Sequence, residues 1–157
     1  MKNKIIFFTR VPKAGTTKTR LYDFVSPENA IEIQKKLMKL NYRLLKESGE
    51  ELVVYHDGQI SDDNTMKDIL ENREFFYQEG KTLGDKMYNA IEQELKTSDK
   101  VILLGSDIYN LKKDMINTAF EKLDNFDIVI NPSIDGGYFL IGMKNAIKEV
   151  FDLPSYG

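Results

Sequence analysis

Lys100-Val101-Ile102-Leu103-Leu104-Gly105-Ser106-Asp107 decides how the rest of this chain is read. Its aliphatic run leaves no polar face, the pattern of a strand covered on both sides in a parallel sheet. A glycine, a hydroxyl and a carboxylate follow at once, so polar chemistry sits at the carboxyl end of that strand. Outward from it, Lys4–Thr9, Glu51–His56, Arg73–Gln78 and Phe126–Asn131 read as further buried strands, and Tyr138–Ile141 as a last one. Helical patterns fall between them. Ser26 and Pro27 are a start signal, N-cap and first helical residue, for a helix whose Ile33, Leu37, Leu40 and Leu44 form one core-facing stripe. Thr82 and Asp85 are spaced as a capping pair for a helix buried through Leu83, Met87, Ile91 and Leu95. A third helix carries Leu111, Met115, Ala119 and Leu123, and a last one runs over Lys144–Phe151. This alternation predicts an α/β fold, a three-layer α/β/α sandwich in a single domain over residues 1–157. Ligands of such folds bind outside the carboxyl ends of the strands, so the loops that follow strands matter most.

At 157 residues there is room for one sizeable core. A formal net charge of −3 argues against nucleic acid or an anionic membrane surface as a partner. The chain has no cysteine, which excludes disulfides and thiolate metal sites and fits a reducing, cytoplasmic setting. The apolar run Ile5–Phe8 is too short for a signal-peptide core or a membrane span.

Positive charge is instead concentrated in one loop. Arg10, Lys13, Lys18 and Arg20 follow the first strand with no acid among them, and Gly15 allows backbone N–H groups to come close to a ligand. The loop reads either as a seat for a bound polyphosphate or as a solvated basic segment. Neither common nucleotide fingerprint is present. A Walker A loop needs glycines where Thr17 and Pro12 stand, and no G-x-G-x-x-G follows any strand.

Three other segments carry candidate chemistry. Asp107 is placed to ligate a hard cation such as Mg²⁺ or Mn²⁺, or else to cap the next turn; Ser106 reaches the same ligand or closes that turn. Asp135-Gly136-Gly137-Tyr138 taken alone is an ordinary hairpin turn, and beside the other two loops becomes a place for close ligand approach. Gln78 and Gly80 lie in a connector that either touches a base, ribose or phosphate or simply joins strand to helix. His56, the one histidine, has no Ser or Cys motif with it and reads as structural.

Phe8-x-Arg10-x-Pro12-x-x-Gly15-x-x-Lys18-Thr19-Arg20-Leu21, Gln78-x-Gly80-x-x-Leu83-Gly84-x-x-Met87, Gly105-Ser106-Asp107 and Asp135-Gly136-Gly137-Tyr138-x-Leu140-Ile141-Gly142 occur in that order. The set resembles the bacterial GT-A-type transferases grouped as a glycosyltransferase A superfamily, or selenodomain-associated transferases. These are related to the molybdenum-cofactor and 2-phospho-lactate guanylyltransferases. The resemblance implies a nucleotide-diphospho-sugar transferase (GT-A, Rossmann-like) fold with a mixed, mostly parallel sheet. It implies that Arg10, Lys18 and Arg20 face phosphates, with Gly15, Thr19, Gln78 and Gly80 in the nucleotide-binding set. It also implies that Asp107 holds the divalent metal, and that Ser106, Gly136, Gly137 and Tyr138 line the substrate pocket.

The reaction so implied is metal-assisted glycosyl transfer from a nucleotide-activated donor to an unidentified acceptor. Asp107 and Lys18 carry the chemistry, and Asp135 orients an acceptor hydroxyl or makes a further metal contact. Nucleotidyl transfer with release of pyrophosphate is the alternative. Tyr109 stands where the family usually has proline, and relatives usually continue past the position of Gly157 into another acidic segment. A domain short at that end, binding nucleotide without turnover, is therefore a further reading.

Overall fold

Strand β1 (Asn3–Arg10) runs through the middle of the computed structural model, which describes residues 2–13, 22–60, 64–71, 73–134 and 136–152. Its side chains alternate between two cores. Ile5 and Phe7 point to one face of the sheet and Ile6 and Phe8 to the other, which is why the run has no polar position to spare. The other strands are β2 (Glu51–Asp57), β3 (Phe75–Tyr77), β4 (Lys100–Gly105), β5 (Ile128–Pro132) and β6 (Tyr138–Met143), ordered β3-β2-β1-β4-β6-β5. Ile6 lies opposite Val53 of β2 and Leu103 of β4, both in parallel ladders. Among the described strands β6 alone runs against the rest, paired antiparallel to β4 and β5. The α/β sandwich and its mixed, mostly parallel sheet are thus as expected.

Helices α1 (Pro27–Glu47), α2 (Thr65–Leu70) and α4 (Lys113–Lys122) cover the Ile5/Phe7 face through Met38, Leu45, Met66, Ile116 and Phe120. Helix α3 (Leu83–Leu95) and a 3-10 turn at Lys148–Phe151 cover the other face through Met87, Ile91 and Phe151. The two predicted caps are present: Ser26 Oγ accepts from the Asn29 amide at 3.2 Å, and Thr82 Oγ1 from the Asp85 amide at 3.1 Å. No helix among the described residues is long and apolar enough to cross a membrane.

Several boundaries differ from expectation. The buried stripe of α1 is Ala30, Gln34, Leu37, Met38, Asn41, Tyr42 and Leu45, while the predicted Leu40 is exposed. A pattern that counts only apolar residues misplaces this face because Gln34 and Asn41 are buried for their hydrogen bonds. Leu83, expected in the core, is about half exposed. Strand β3 is shorter than Arg73–Gln78, since Arg73 turns in to meet the Tyr42 hydroxyl at 2.7 Å and the Leu52 carbonyl at 3.1 Å. Strand β5 starts after Phe126, which is exposed. The expected helix over Lys144–Phe151 is only the 3-10 turn, and α2 had no periodic signal long enough to announce it.

Two contacts hold the layers at fixed spacing. Gly142 lies where an added Cβ would come within 2.9 Å of Ile102 Cγ2 and 3.2 Å of Leu123 Cδ1, so β6 and α4 close on β4 only over a bare backbone. Beneath α3, buried Lys4 donates to Glu94 at 2.9 Å and Thr97 at 2.8 Å, and the Tyr55 hydroxyl donates to the other Glu94 oxygen. Burial and this carboxylate raise the Tyr55 pKa well above that of a free phenol.

Candidate active site

The carboxyl ends of β1, β2 and β4 and the start of β6 reach one edge of the sheet, and a cleft of about 750 Å³ opens there. Its floor is Phe8 and Leu103, from neighbouring strands. One wall is the first turn of α3, through Leu83 and Met87. Leu83 is exposed because it faces this space rather than the core. The opposite wall is Gly136, Gly137, Tyr138 and Phe139, where β5 turns into β6. The Ser133 carbonyl accepts from the Gly136 amide at 3.3 Å and the Ser133 amide donates to the Gly137 carbonyl at 2.9 Å. Gly136 has φ +93°, which favours glycine. The segment is a tight turn between β5 and β6, and its glycines line the cleft.

Gly105, Asp107 and Ile108 form the remaining side. The β4 strand ends at Gly105, the chain turns, and the Asp107 side chain comes out exposed at the cleft while Ile108 is buried behind it. What fixes this turn is the residue between. Ser106 is buried; its hydroxyl bonds Thr9 Oγ1 at 2.9 Å and accepts from Gln34 Nε2 at 3.2 Å, and its carbonyl accepts from Asn41 Nδ2 at 3.0 Å. The Ser106 hydroxyl thus points toward α1 and is not part of the cleft lining, contrary to its expected place in the substrate pocket. Gln34 and Asn41 are seven positions apart on the buried stripe of one helix, and two polar side chains at that spacing were the sequence signal for this support.

The connector between β3 and α3 is likewise tied to the fold. Gln78 Nε2 donates to the Thr9 carbonyl at 3.1 Å and the Tyr55 carbonyl at 3.2 Å, bridging the ends of β1 and β2. A Cβ on Gly80 would stand 2.7 Å from Asp85 Cβ, so the loop needs glycine to lie against α3. His56 is buried, with Nδ1 2.8 Å from the Gly58 carbonyl and its ring 4.4 Å from that of Tyr77. A carbonyl only accepts, so Nδ1 carries the proton. Burial lowers the His56 pKa below the usual imidazole value, against the opposing pull of the Gly58 carbonyl and Asp57.

Arg10 lies at the end of β1, its guanidinium 3.5 Å from Asp57, and Asp57 also faces Lys86 of α3 at 3.6 Å. Gly15, Lys18, Thr19, Arg20 and Asp135 lie outside the described residues. Among the described residues no three histidines, aspartates or glutamates converge on one point. A magnesium ion that arrives on phosphates usually takes only one or two carboxylates. An exposed carboxylate at the cleft beside bare Gly105 fits such an ion.

The chain belongs to the DUF2064 family, described as an uncharacterized protein conserved in bacteria, which matches residues 40–157. In structure it is similar to a provisionally assigned nucleotide-diphospho-sugar transferase from Desulfovibrio desulfuricans G20, with TM-score 0.91 and 29% identity over 100% of this chain and 71% of that one. A cytidylyltransferase from Leptospira borgpetersenii shares the fold at TM-score 0.60 and 14% identity, over 97% of this chain and 63% of that one. In sequence it is similar to proteins named 2-phospho-L-lactate guanylyltransferase. The one from Methanobrevibacter ruminantium is 26% identical over 86% of this chain and 62% of its own length. The one from Methanocaldococcus jannaschii is 27% identical over 100% of this chain and 66% of its own length. The chain therefore spans slightly less than two thirds of the curated relatives it matches. The expected fold family is the one found.

Proposed function

We propose that this chain forms the nucleotide-binding domain of a nucleotidyltransferase, which joins a nucleoside monophosphate to an acceptor oxygen and releases pyrophosphate. The observation that carries the reading is the position of Asp107. It stands at the end of the central strand β4, across the cleft from Gly136 and Gly137, in a chain alignable from end to end with a protein named as a guanylyltransferase. Arg10, with Lys18 and Arg20 of the same loop, would meet donor phosphates and offset charge building on the leaving group. Asp107 would hold a divalent cation, which when bound supplies Lewis-acid polarisation of a phosphoryl oxygen. The apolar walls would exclude water from the attacking acceptor oxygen, whose line of approach the glycine wall leaves open. Asp135 is proposed to orient the acceptor hydroxyl or to make a further contact to the metal.

Glycosyl transfer from a nucleotide-sugar, the reaction put first by the family resemblance, stands second. It is favoured by the likeness to the Desulfovibrio structure. One experiment separates them. The chain is incubated with each labelled nucleoside triphosphate and nucleotide-sugar over a panel of phosphorylated and hydroxylated acceptors, and the products are resolved. Pyrophosphate release is expected, lost in Asp107→Asn with the fold intact. Release of a nucleoside diphosphate would establish the second reading, and full activity of Asp107→Asn would overturn the role of that carboxylate.

A further inference from the structure

At the same edge of the sheet, beside the cleft, one carboxylate separates two cations. Arg10 and Asp57 are register partners at the ends of β1 and β2. Arg10 Nη2 lies 3.5 Å from Asp57 Oδ2, and Lys86 Nζ lies 3.6 Å from Asp57 Oδ1. Both separations are longer than an ordinary hydrogen bond, and the Arg10, Asp57 and Lys86 side chains are 61%, 40% and 25% exposed. Pairs this loose and this wet add little stability and exchange readily. Lys86 is also oddly sited for a structural residue. It occupies the first turn of α3, where the helix dipole disfavours a cation, and it lies between Leu83 and Met87, which face the cleft.

We infer that Arg10 and Lys86 form a clamp for an unesterified phosphate group, in which Asp57 is the resident counter-ion that an incoming ligand must displace. The inference rests on the nucleotide reading of the neighbouring cleft and extends it to specificity. A terminal phosphate carries close to two negative charges and three acceptor oxygens, enough to engage both cations better than one carboxylate does. A phosphate already esterified at both ends, as in a nucleotide-sugar, carries one charge and displaces Asp57 poorly. The carboxylate thereby favours a triphosphate or pyrophosphate over a nucleotide-sugar. Lys86 is an unassigned position within the Gln78–Met87 motif, and Asp57 lies in none of the four motifs.

The test is calorimetric titration of inorganic pyrophosphate into the full chain, its Lys86→Gln variant and its Asp57→Asn variant, with folding checked by circular dichroism. Lys86→Gln is expected to weaken pyrophosphate binding about tenfold, and Asp57→Asn to tighten it about threefold or more. In parallel, GDP and GDP-mannose share a base and differ in esterification of the outer phosphate; the wild-type preference for GDP should narrow in Asp57→Asn. No pyrophosphate binding, wild-type affinity in Lys86→Gln, or weaker binding in Asp57→Asn would overturn the clamp, even in a chain that turns over nucleotides. The expected pyrophosphate pattern in a chain that consumes no nucleotide would keep the clamp and sink the transferase reading instead.

Discussion

Replacing Ser106 by alanine separates the two roles its sequence allowed. The hydroxyl makes two side-chain bonds, to Thr9 at 2.9 Å and to Gln34 at 3.2 Å, and all three residues are buried. Each bond contributes about 1 kcal/mol net, and a buried partner left unpaired adds about 1–3 kcal/mol of desolvation. Thr9 keeps a weak alternative in the Arg10 carbonyl at 3.5 Å, so the unpaired group is chiefly the Gln34 amide. Ser106→Ala should therefore cost about 3–5 kcal/mol, or about 6–20 °C in melting temperature for a chain of this size. Gln34→Leu placed in the same chain removes the orphaned amide and should restore about 1–2 kcal/mol of that loss. Nucleotide affinity should stay within about threefold of wild type, because Asn41 still holds the Ser106 carbonyl and hence the turn that aims Asp107. Urea unfolding of the four chains in this cycle, with calorimetric nucleotide binding well below the melting temperature, reads both quantities. Wild-type stability together with a tenfold loss of affinity in Ser106→Ala would refute the reasoning and return the hydroxyl to the ligand.

Glu94→Leu strands the Lys4 ammonium, which among the described residues keeps Thr97 and the half-exposed Glu51 at 3.7 Å; urea melts should show a loss of about 3 kcal/mol, largely recovered by adding Lys4→Met. His56 has a folded pKa below its unfolded value near 6.5, so the unfolded chain takes up the proton first as pH falls. The stability from neutral, buried His56 is present in full above about pH 6.5 and is lost as pH falls from there toward the folded pKa. Melting temperatures between about pH 7.5 and 5.5 should fall in the wild type and fall less in His56→Gln; parallel curves would exclude this residue as the cause.

The parts of the fold that could be read from sequence are those whose cause is local. Val101–Leu104 is apolar on both faces and Ser26-Pro27 is a cap, and neither needs knowledge of a distant partner. What failed depended on partners. Leu40 and Leu83 are apolar residues outside the core, the first displaced by the burial of Gln34 and Asn41, the second facing the cleft. That Asp107, Gly136 and Gly137 come to one cleft follows from loops after strands converging on one edge. The Thr9–Ser106–Gln34 network joins residues 97 and 72 positions apart, and its one trace in the sequence is the seven-residue spacing of Gln34 and Asn41. Lys86 likewise reads as a solvent-facing lysine until β2 brings Asp57 beneath it.

The reversal of β6 has a consequence for how this scaffold can change. Strands β1 to β4 are joined through helices packed into the core, so altering a loop at their ends disturbs a crossover. Strand β6 arrives from β5 through a short surface turn whose glycines meet no side chain within 4 Å at Gly136. Outside Gly136, whose φ of +93° strains any side chain, the wall it builds can be changed in length and sequence while Gly142, farther along the same strand, keeps the core closed. One side of the cleft is thus built for permanence and the other for variation. Under the nucleotidyltransferase reading, a library confined to Ser133 and Ile134, with Asp135 and Gly136 kept, is the economical route to new acceptors.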